Sequence, residues 1–420
     1  MDKSEVILIN DNVFDNENNS IFDKLIWIST VILISSFVIL DTNQWISMIL
    51  LGTTGLIFAL ILIKQNGVFI LKIESYQKYV FAFALFCILS SIWAWNGSLA
   101  LSKGITIIEI LICMSVLYIY YRPLNSVWPL INAVKWAGYI TTTYAFAFYG
   151  LSTIMSVLSS GVRLDSDFAN INGIAMFSVM AVLITIFQVL YNRFSFSLIL
   201  VIPSIILVAA SGSRKALVMT IIGILLIALQ RYSSKYFWKQ ILKWIVICTL
   251  IVFVVFLFSK LSIFSGINER MEGLFALITG RGIVDSSAMK RNEYINIGFQ
   301  QFLKTPLLGI GIGNSGLLLL KEVGYATYIH NNYAELLATG GIIGTLFFYV
   351  IYGYNLKYLW KYRMQNDPMR VICLVLIIVL LVLEWGMVSY YSKLTYLYFM
   401  IFFIEVEKLK EQGNAMEKNA

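Results

Sequence analysis

Residues 173–190 read GIAMFSVMAVLITIFQVL, from Gly173 to Leu190 without one Asp, Glu, Lys or Arg. A helix rises about 1.5 Å per residue, so about 20 such residues cross the roughly 30 Å hydrocarbon core of a bilayer. The stretch predicts a transmembrane helix, and it sets the class of the fold. Working outward, apolar runs lie near 25–40, 45–63, 79–95, 104–121 and 137–157 before it. Others lie near 196–210, 215–229, 241–258, 333–353, 371–388 and 394–404 after it. Together they predict an all-α polytopic integral membrane protein with about twelve transmembrane helices.

Composition agrees with that class. The chain is 59% hydrophobic and 13% charged, with mean hydropathy +0.80, which excludes an ordinary soluble domain. Cys87, Cys113, Cys248 and Cys373 all sit inside apolar runs, without the context of a disulfide framework or the spacing of a metal site. The first 24 residues carry more acid than base and have no positive n-region or cleavage site, so they read as an uncleaved cytoplasmic tail.

The positive-inside rule orients the bundle. With a cytoplasmic N-terminus, the inner loops hold Lys64, Lys72 and Lys78, then Arg122, then Arg193. The later ones hold Arg231, Lys235, Lys239 and Lys243, then Lys357, Lys361, Arg363 and Arg370, and a C-terminal tail with Lys408, Lys410 and Lys418. Topology therefore accounts for most of the net charge of +8, and no nucleic-acid partner is needed. The expected organisation is a tail over 1–24, helices 1–9 over 25–258, a large extracytoplasmic loop over 259–332, helices 10–12 over 333–404 and a tail over 405–420.

The long polar loop is where function is expected, because an insertion of that length is more than a connector. It contains Arg270, Arg281, Lys290, Arg291, Lys304 and Lys321, and it closes on His330, the single histidine of the chain, in Tyr328-Ile329-His330-Asn331-Asn332-Tyr333. A histidine at a membrane surface, with almost no other group titrating near neutral pH, is a candidate general base. Two shorter outer loops carry Arg163-Leu164-Asp165-Ser166-Asp167 with Asn170-Ile171-Asn172, and Ser211-Gly212-Ser213-Arg214. An arginine fork binds phosphate oxygens bidentately at any relevant pH, so arginines at an outer cavity suit a lipid-linked diphosphate. Pairing with headgroups or nearby carboxylates is the bland alternative for each arginine taken singly. Arg214 is the hardest to dismiss, since a charge in a minimal turn between apolar helices calls for a partner.

Ser286 and Ser287 are expected caps of an amphipathic helix continuing to Lys304, with Ile295, Phe299, Phe302 and Leu303 at helical spacing. Thr305-Pro306 ends it. The following run, Gly309-Ile310-Gly311-Ile312-Gly313-Asn314-Ser315-Gly316, contains a formal G-x-G-x-x-G. A dinucleotide fingerprint is rejected because no βαβ unit surrounds it; tight turning and close backbone approach are the expected use. Gly340-Gly341 and Gly344 predict close helix packing.

These elements, in order, resemble the O-antigen ligase and polymerase superfamily of bacterial membrane glycosyltransferases, which includes the Wzy-type polysaccharide polymerases. The resemblance rests on Arg163 with Asn170-x-Asn172, Ser211-Gly212-Ser213-Arg214, Arg291 on its helix, Pro306 to Asn314, and His330-Asn331 with Gly341-Ile-Ile-Gly344, and covers about 160–350. It implies a GT-C-like enzyme in the bacterial cytoplasmic membrane with an extracytoplasmic active site. The donor and acceptor would be undecaprenyl-diphosphate-linked glycans, with no metal or other cofactor. His330 would be the catalytic base; Arg163, Arg214, Arg281 and Arg291, with Asn172 and Asn331, would bind substrate. A flippase and chain-length regulators are the implied protein partners. The sequence departs from the family at Thr339, where an acidic residue is frequent; Glu335, one helical turn earlier, is the carboxylate that stands in. A ligase acting on lipid A core or protein would use the same chemistry. A transporter is the alternative from another class, but it predicts two similar halves, and the long loop has no counterpart in the first half.

Overall fold

The computed structural model describes residues 20–41, 45–68, 72–160, 164, 170–191, 195–231, 286–363, 365 and 367–419. In chain order the helices are α1 (Ile21–Ile39), α2 (Ile46–Lys64), α3 (Ser75–Leu89), α4 (Gly97–Tyr121), α5 (Trp128–Tyr149), α6 (Leu151–Ser160), α7 (Ile171–Tyr191), α8 (Val201–Ser211), α9 (Arg214–Arg231), α10 (Ser286–Lys304), α11 (Ser315–Val323), α12 (Asn332–Lys361), α13 (Pro368–Leu383) and α14 (Lys393–Asn419). No strand occurs among the described residues.

Six of these helices are long and apolar enough to cross a bilayer: α1, α2, α4, α7, α12, and α3 together with the 3-10 turn Ser90–Ile92 that prolongs it. Leu151–Ser160, Phe196–Ser211 and Pro368–Leu383 are shorter apolar helices. The chain is thus a polytopic helical membrane protein. The run expected near 137–157 is not one helix: α5 stops at Tyr149, Gly150 adopts φ 76°, and α6 starts at Leu151. A positive φ cannot continue a right-handed helix, and glycine adopts it without penalty. The run near 241–258 lies outside the described residues.

α1, α2 and α5 to α9 belong to one compact unit and α3, α4, α10 to α12 and α14 to a second, while α13 is divided between them. In the first, α7 is buried along most of its length between α5 and α9. Small residues permit the approach: a β-carbon on Gly138 of α5 would stand 2.7 Å from that of Ala181, and one on Gly223 of α9 would stand 2.4 Å from Leu183. Several polar groups between the helices are paired, which offsets their burial away from water. Thr142 donates to the Ser178 hydroxyl at 2.9 Å, Tyr139 bonds Thr185, and the Lys135 ammonium donates to Gln188 at 2.9 Å.

In the second unit, α3 packs on α4 at Gly104, where a β-carbon would meet Ile88 at 2.5 Å. α12 packs on α3 through Phe83 and Phe348, whose rings are 5.2 Å apart. Gly344 sits so close to Phe86 that a β-carbon would come within 2.5 Å of the ring. Aromatic residues of α14, among them Tyr396, Phe399, Phe402 and Phe403, complete this core. Just before α3, Glu74 accepts hydrogen bonds from Tyr118 at 2.5 Å and Arg122 at 3.0 Å, while Arg122 also reaches Glu411 on α14. Burial works to raise the Glu74 carboxyl, but the Tyr118, Arg122 and Lys72 donors outweigh it and hold the group below the usual carboxylate range.

Candidate active site

The Gly-rich run is built into a break in α12. Gly341 lies at φ 61°, ψ −165°, in a region open to glycine alone, and interrupts the helix. The chain after α10 fills that gap: Ile342 N donates to Pro306 O at 2.8 Å, Ile343 N to Leu307 O at 3.2 Å, and Ile310 N to Ala338 O at 3.1 Å. Backbone meets backbone here, so side chains have no room. A β-carbon on Gly309 would stand 2.4 Å from the Thr339 carbonyl carbon. Farther along, Trp95 N donates to Ile310 O at 3.0 Å, and the buried Asn314 side chain accepts from Asn96 N at 2.8 Å. The glycines bring the loop against other helices. Gly340-Gly341 therefore serves a helix break as well as the close packing seen at Gly344.

The break and the loop set the start of α12, and His330 stands directly before it. Asn331 caps the helix, its side-chain oxygen accepting from Ala334 N at 2.9 Å while its amide donates to Trp385 O at 3.1 Å. Next to it, Asn332 N donates to Glu384 O at 2.8 Å, and the Asn332 side-chain oxygen accepts from Ser389 N at 2.9 Å and Tyr390 N at 3.2 Å. The buried Glu384 carboxylate accepts from Ser389 at 2.6 Å, Tyr349 at 2.6 Å and Tyr352 at 2.7 Å. His330 itself is half-buried with φ 63°, a left-handed backbone that few non-glycine residues adopt. Strain of this kind persists only where neighbours over-determine it.

The imidazole faces an aromatic wall. Its centroid lies 3.8 Å from the Tyr328 ring and 6.3 Å from the Tyr294 ring. Tyr294 projects from α10 into a core of Ile310, Leu318, Leu319, Ile329, Ala334 and Ala338, and its hydroxyl bonds that of Tyr325. Arg291, half-buried, is one helical turn before Tyr294 and acts electrostatically on Tyr328. The hydrogen bond to Tyr325, then burial, pushes the Tyr294 phenol up to about 12. Burial also raises the Tyr328 phenol, against the Arg291 charge that lowers it. Both phenols stay protonated near neutral pH, and the wall is a neutral surface with one cation at its edge.

His330, Asn331 and Arg291 are thus brought together in one unit. Asn172 and Arg214 belong to the other, and there they share one end. Asn172 follows Asn170, whose side-chain oxygen accepts from Asn172 N at 3.1 Å at the start of α7. Arg214 opens α9 after a turn in which Gly212 has φ 60° and the Ser211 hydroxyl accepts from Ser213 N at 3.1 Å. Leu164 N donates to Ala210 O at 3.4 Å, which ties the loop before α7 to the end of α8. Arg163 and Arg281 lie outside the described residues. Sequence reasoning missed Tyr294, Tyr328, Asn332 and Glu384. The three-residue spacing Arg291 to Tyr294 and the Tyr328-x-His330 pair were the available signals; nothing local marks Glu384.

Removing the cap side chain in Asn331→Ala is expected to destabilise the protein by about 1 kcal/mol, since one of the orphan N–H groups of α12 loses its acceptor. Thermal unfolding in detergent measures it.

Residues 196–349 match the model of the O-antigen ligase family. This stretch is similar to the O-antigen ligase family. The match spans Arg214, Arg281, Arg291, His330 and Asn331, and it bears out the resemblance to the O-antigen ligase/polymerase superfamily. The similarity supports a membrane enzyme of the O-antigen ligase/polymerase type; that family transfers glycosyl groups and acts on lipid-linked glycans. No curated protein matches the chain.

Proposed function

We propose that this member of the O-antigen ligase/polymerase type polymerises undecaprenyl-diphosphate-linked oligosaccharide repeat units into a cell-surface polysaccharide: a capsule, an exopolysaccharide or an O-antigen. The observation that carries the reading is His330, held left-handed at the head of α12, half-buried against Tyr328 and Tyr294, with Arg291 one turn away. As base, His330 accepts the proton of the acceptor sugar hydroxyl while that oxygen bonds the anomeric carbon of the donor. The bond to the diphosphate breaks with its electron pair, the lipid diphosphate leaves, and the anomeric configuration inverts. Arg291 holds the diphosphate and stabilises the charge it gains; Arg163, Arg214 and Arg281 are the further candidates for diphosphate binding. Asn172 and Asn331 support binding; the amide of Asn331 is already engaged by Ala334 and Trp385, so it contributes by placing its neighbour. The same reading takes a GT-C-like bundle of about twelve spans in the bacterial cytoplasmic membrane, the site outside, and a flippase and chain-length regulators as partners.

Purified protein in nanodiscs, given undecaprenyl-diphosphate-linked repeat units, is expected to yield a ladder of longer lipid-linked glycans on a gel. No elongation where donor binding is demonstrated would overturn the polymerase reading. The description of the matching family favours a second reading, a ligase that moves a finished glycan onto lipid A core or protein. Transfer to such an acceptor without a ladder would select it.

Arg291→Lys retains the charge but loses the planar fork. It is expected to lower kcat/KM for the donor about 10- to 100-fold, the worth of one charge-assisted hydrogen bond of roughly 1.5–3 kcal/mol. Initial rates over a donor titration read the loss directly.

A further inference from the structure

The backbone before His330 is held by a carboxylate that the proposed chemistry does not use. Glu335 lies in the first turn of α12 and is 2% exposed. Both of its oxygens are occupied: one accepts from the Ser315 hydroxyl, the other from Ile329 N at 3.0 Å. Ser315 opens α11, and its neighbour Asn314 is fastened to Asn96 at the start of α4 by hydrogen bonds in both directions. Lys103, also on α4, interacts electrostatically with Glu335 while its ammonium lies 3.6 Å from the Tyr391 ring centroid. A continuous linkage therefore runs from α4 through α11 to Glu335 and on to the amide of Ile329, one residue before the strained φ of 63° at His330.

We infer that Glu335 is the positioning residue of the site: by accepting from Ile329 N it fixes the left-handed backbone of His330 and so the direction of the imidazole. This rests on His330 being the base. Several features support it beyond proximity. A residue at positive φ relaxes unless its flanks are restrained, and on its N-terminal side Ile329 N is restrained by Glu335, as Asn331 is on the other by its cap. The buried carboxylate is retained although burial of a charge is costly, and it reaches across the cap to a donor that the helix cannot satisfy. Its neighbour Thr339, one turn on, donates to Glu335 O at 2.7 Å and has no carboxylate of its own to offer.

Because the chain has one histidine, selective 15N-histidine labelling reports His330 alone, through one amide and two ring nitrogens. The test compares wild type, Glu335→Gln and Glu335→Asp in nanodiscs. Glutamine keeps the reach and an acceptor oxygen but loses the charge; aspartate keeps the charge and loses the reach. The expected result is that the His330 signals stay in place in Glu335→Gln and move in Glu335→Asp. Turnover should remain within about threefold in the first and fall about 10- to 100-fold in the second, with KM for the donor unchanged, as for a displaced catalytic group. Unmoved signals in folded Glu335→Asp, or equal displacement in both variants, would overturn the inference. If the aspartate protein does not fold, Ser315→Ala takes its place, since it removes the hydroxyl that orients the carboxylate; here too the His330 signals should move, and unmoved signals overturn the inference. The spectra need no substrate. A failure of the glycosyltransferase reading would show instead as wild-type protein that neither elongates glycans nor transfers them to another acceptor.

Discussion

Replacing His330 with alanine is expected to reduce glycan elongation by a factor of about 10² to 10⁴, the usual contribution of a positioned general base. The protein should still insert and fold, because the imidazole is half-buried and the packing of this region comes from Tyr294, Ile329 and Ala334. Alanine inherits the φ of 63°, so the variant keeps the strain of the site. His330→Gly removes the same base but relieves that strain, and is expected to be more stable than His330→Ala by about 1 kcal/mol. Two inactive proteins that differ in this way in thermal unfolding would separate chemistry from folding. A base works in its deprotonated form, so wild-type turnover should show an acid limb. With a single histidine in the chain, that limb should vanish in whatever residual rate the variants show. Full activity without His330 would sink the assignment.

The largest structural effect is expected at Gly341. A β-carbon there would stand 2.4 Å from the carbonyl carbon and oxygen of Leu307 and 2.6 Å from Leu308 N, all of them backbone. Its φ of 61° with ψ −165° also lies where only glycine rests without strain. Gly341→Ala therefore combines backbone strain with overpacking, about 2–5 kcal/mol together. It should lower Tm and loosen the Pro306 to Ile310 loop, and with it the start of α12. Gly324→Ala is the control: φ is 85°, but nothing lies within 4 Å of the added carbon. It should lose only about 1–2 kcal/mol. Equal loss at both positions would show that close backbone approach contributes nothing at Gly341.

Six of the expected spans were legible because a bilayer imposes one simple condition on a helix, enough consecutive apolar residues, and Gly173 to Leu190 meets it as a string. Ser286–Lys304 and its end at Thr305-Pro306 were legible for a similarly local reason. The break at Gly150 was not, since a lone glycine in an apolar run marks a helix contact as often as an interruption. Gly341 shows the same ambiguity: the pattern Gly340-Gly341-x-x-Gly344 suggested packing, and only the loop folded against it reveals the kink. At the site, His330 and Arg291 stood out by residue type, and Asn331 by its place beside the histidine. Tyr294 and Glu384 did not, because their roles depend on partners that are distant in the chain, and Glu335 was legible only as a carboxylate standing in near Thr339, not as the acceptor of Ile329 N.

Sequence alone determined the class of this protein and six of its apolar helices, and it named side chains whose chemistry suits proton acceptance and phosphate binding. Those follow from properties of single residues and their immediate spacing: apolar transfer, fixed charge and an imidazole in the right range. Tertiary structure decided which of those residues meet. It set Arg291 beside the wall that faces His330, held that histidine in a left-handed backbone, and closed a glycine loop into a broken helix. Each of these is a contact between segments remote in sequence, stable only when many neighbours restrain it at once, and no single stretch of the chain contains the reason for it.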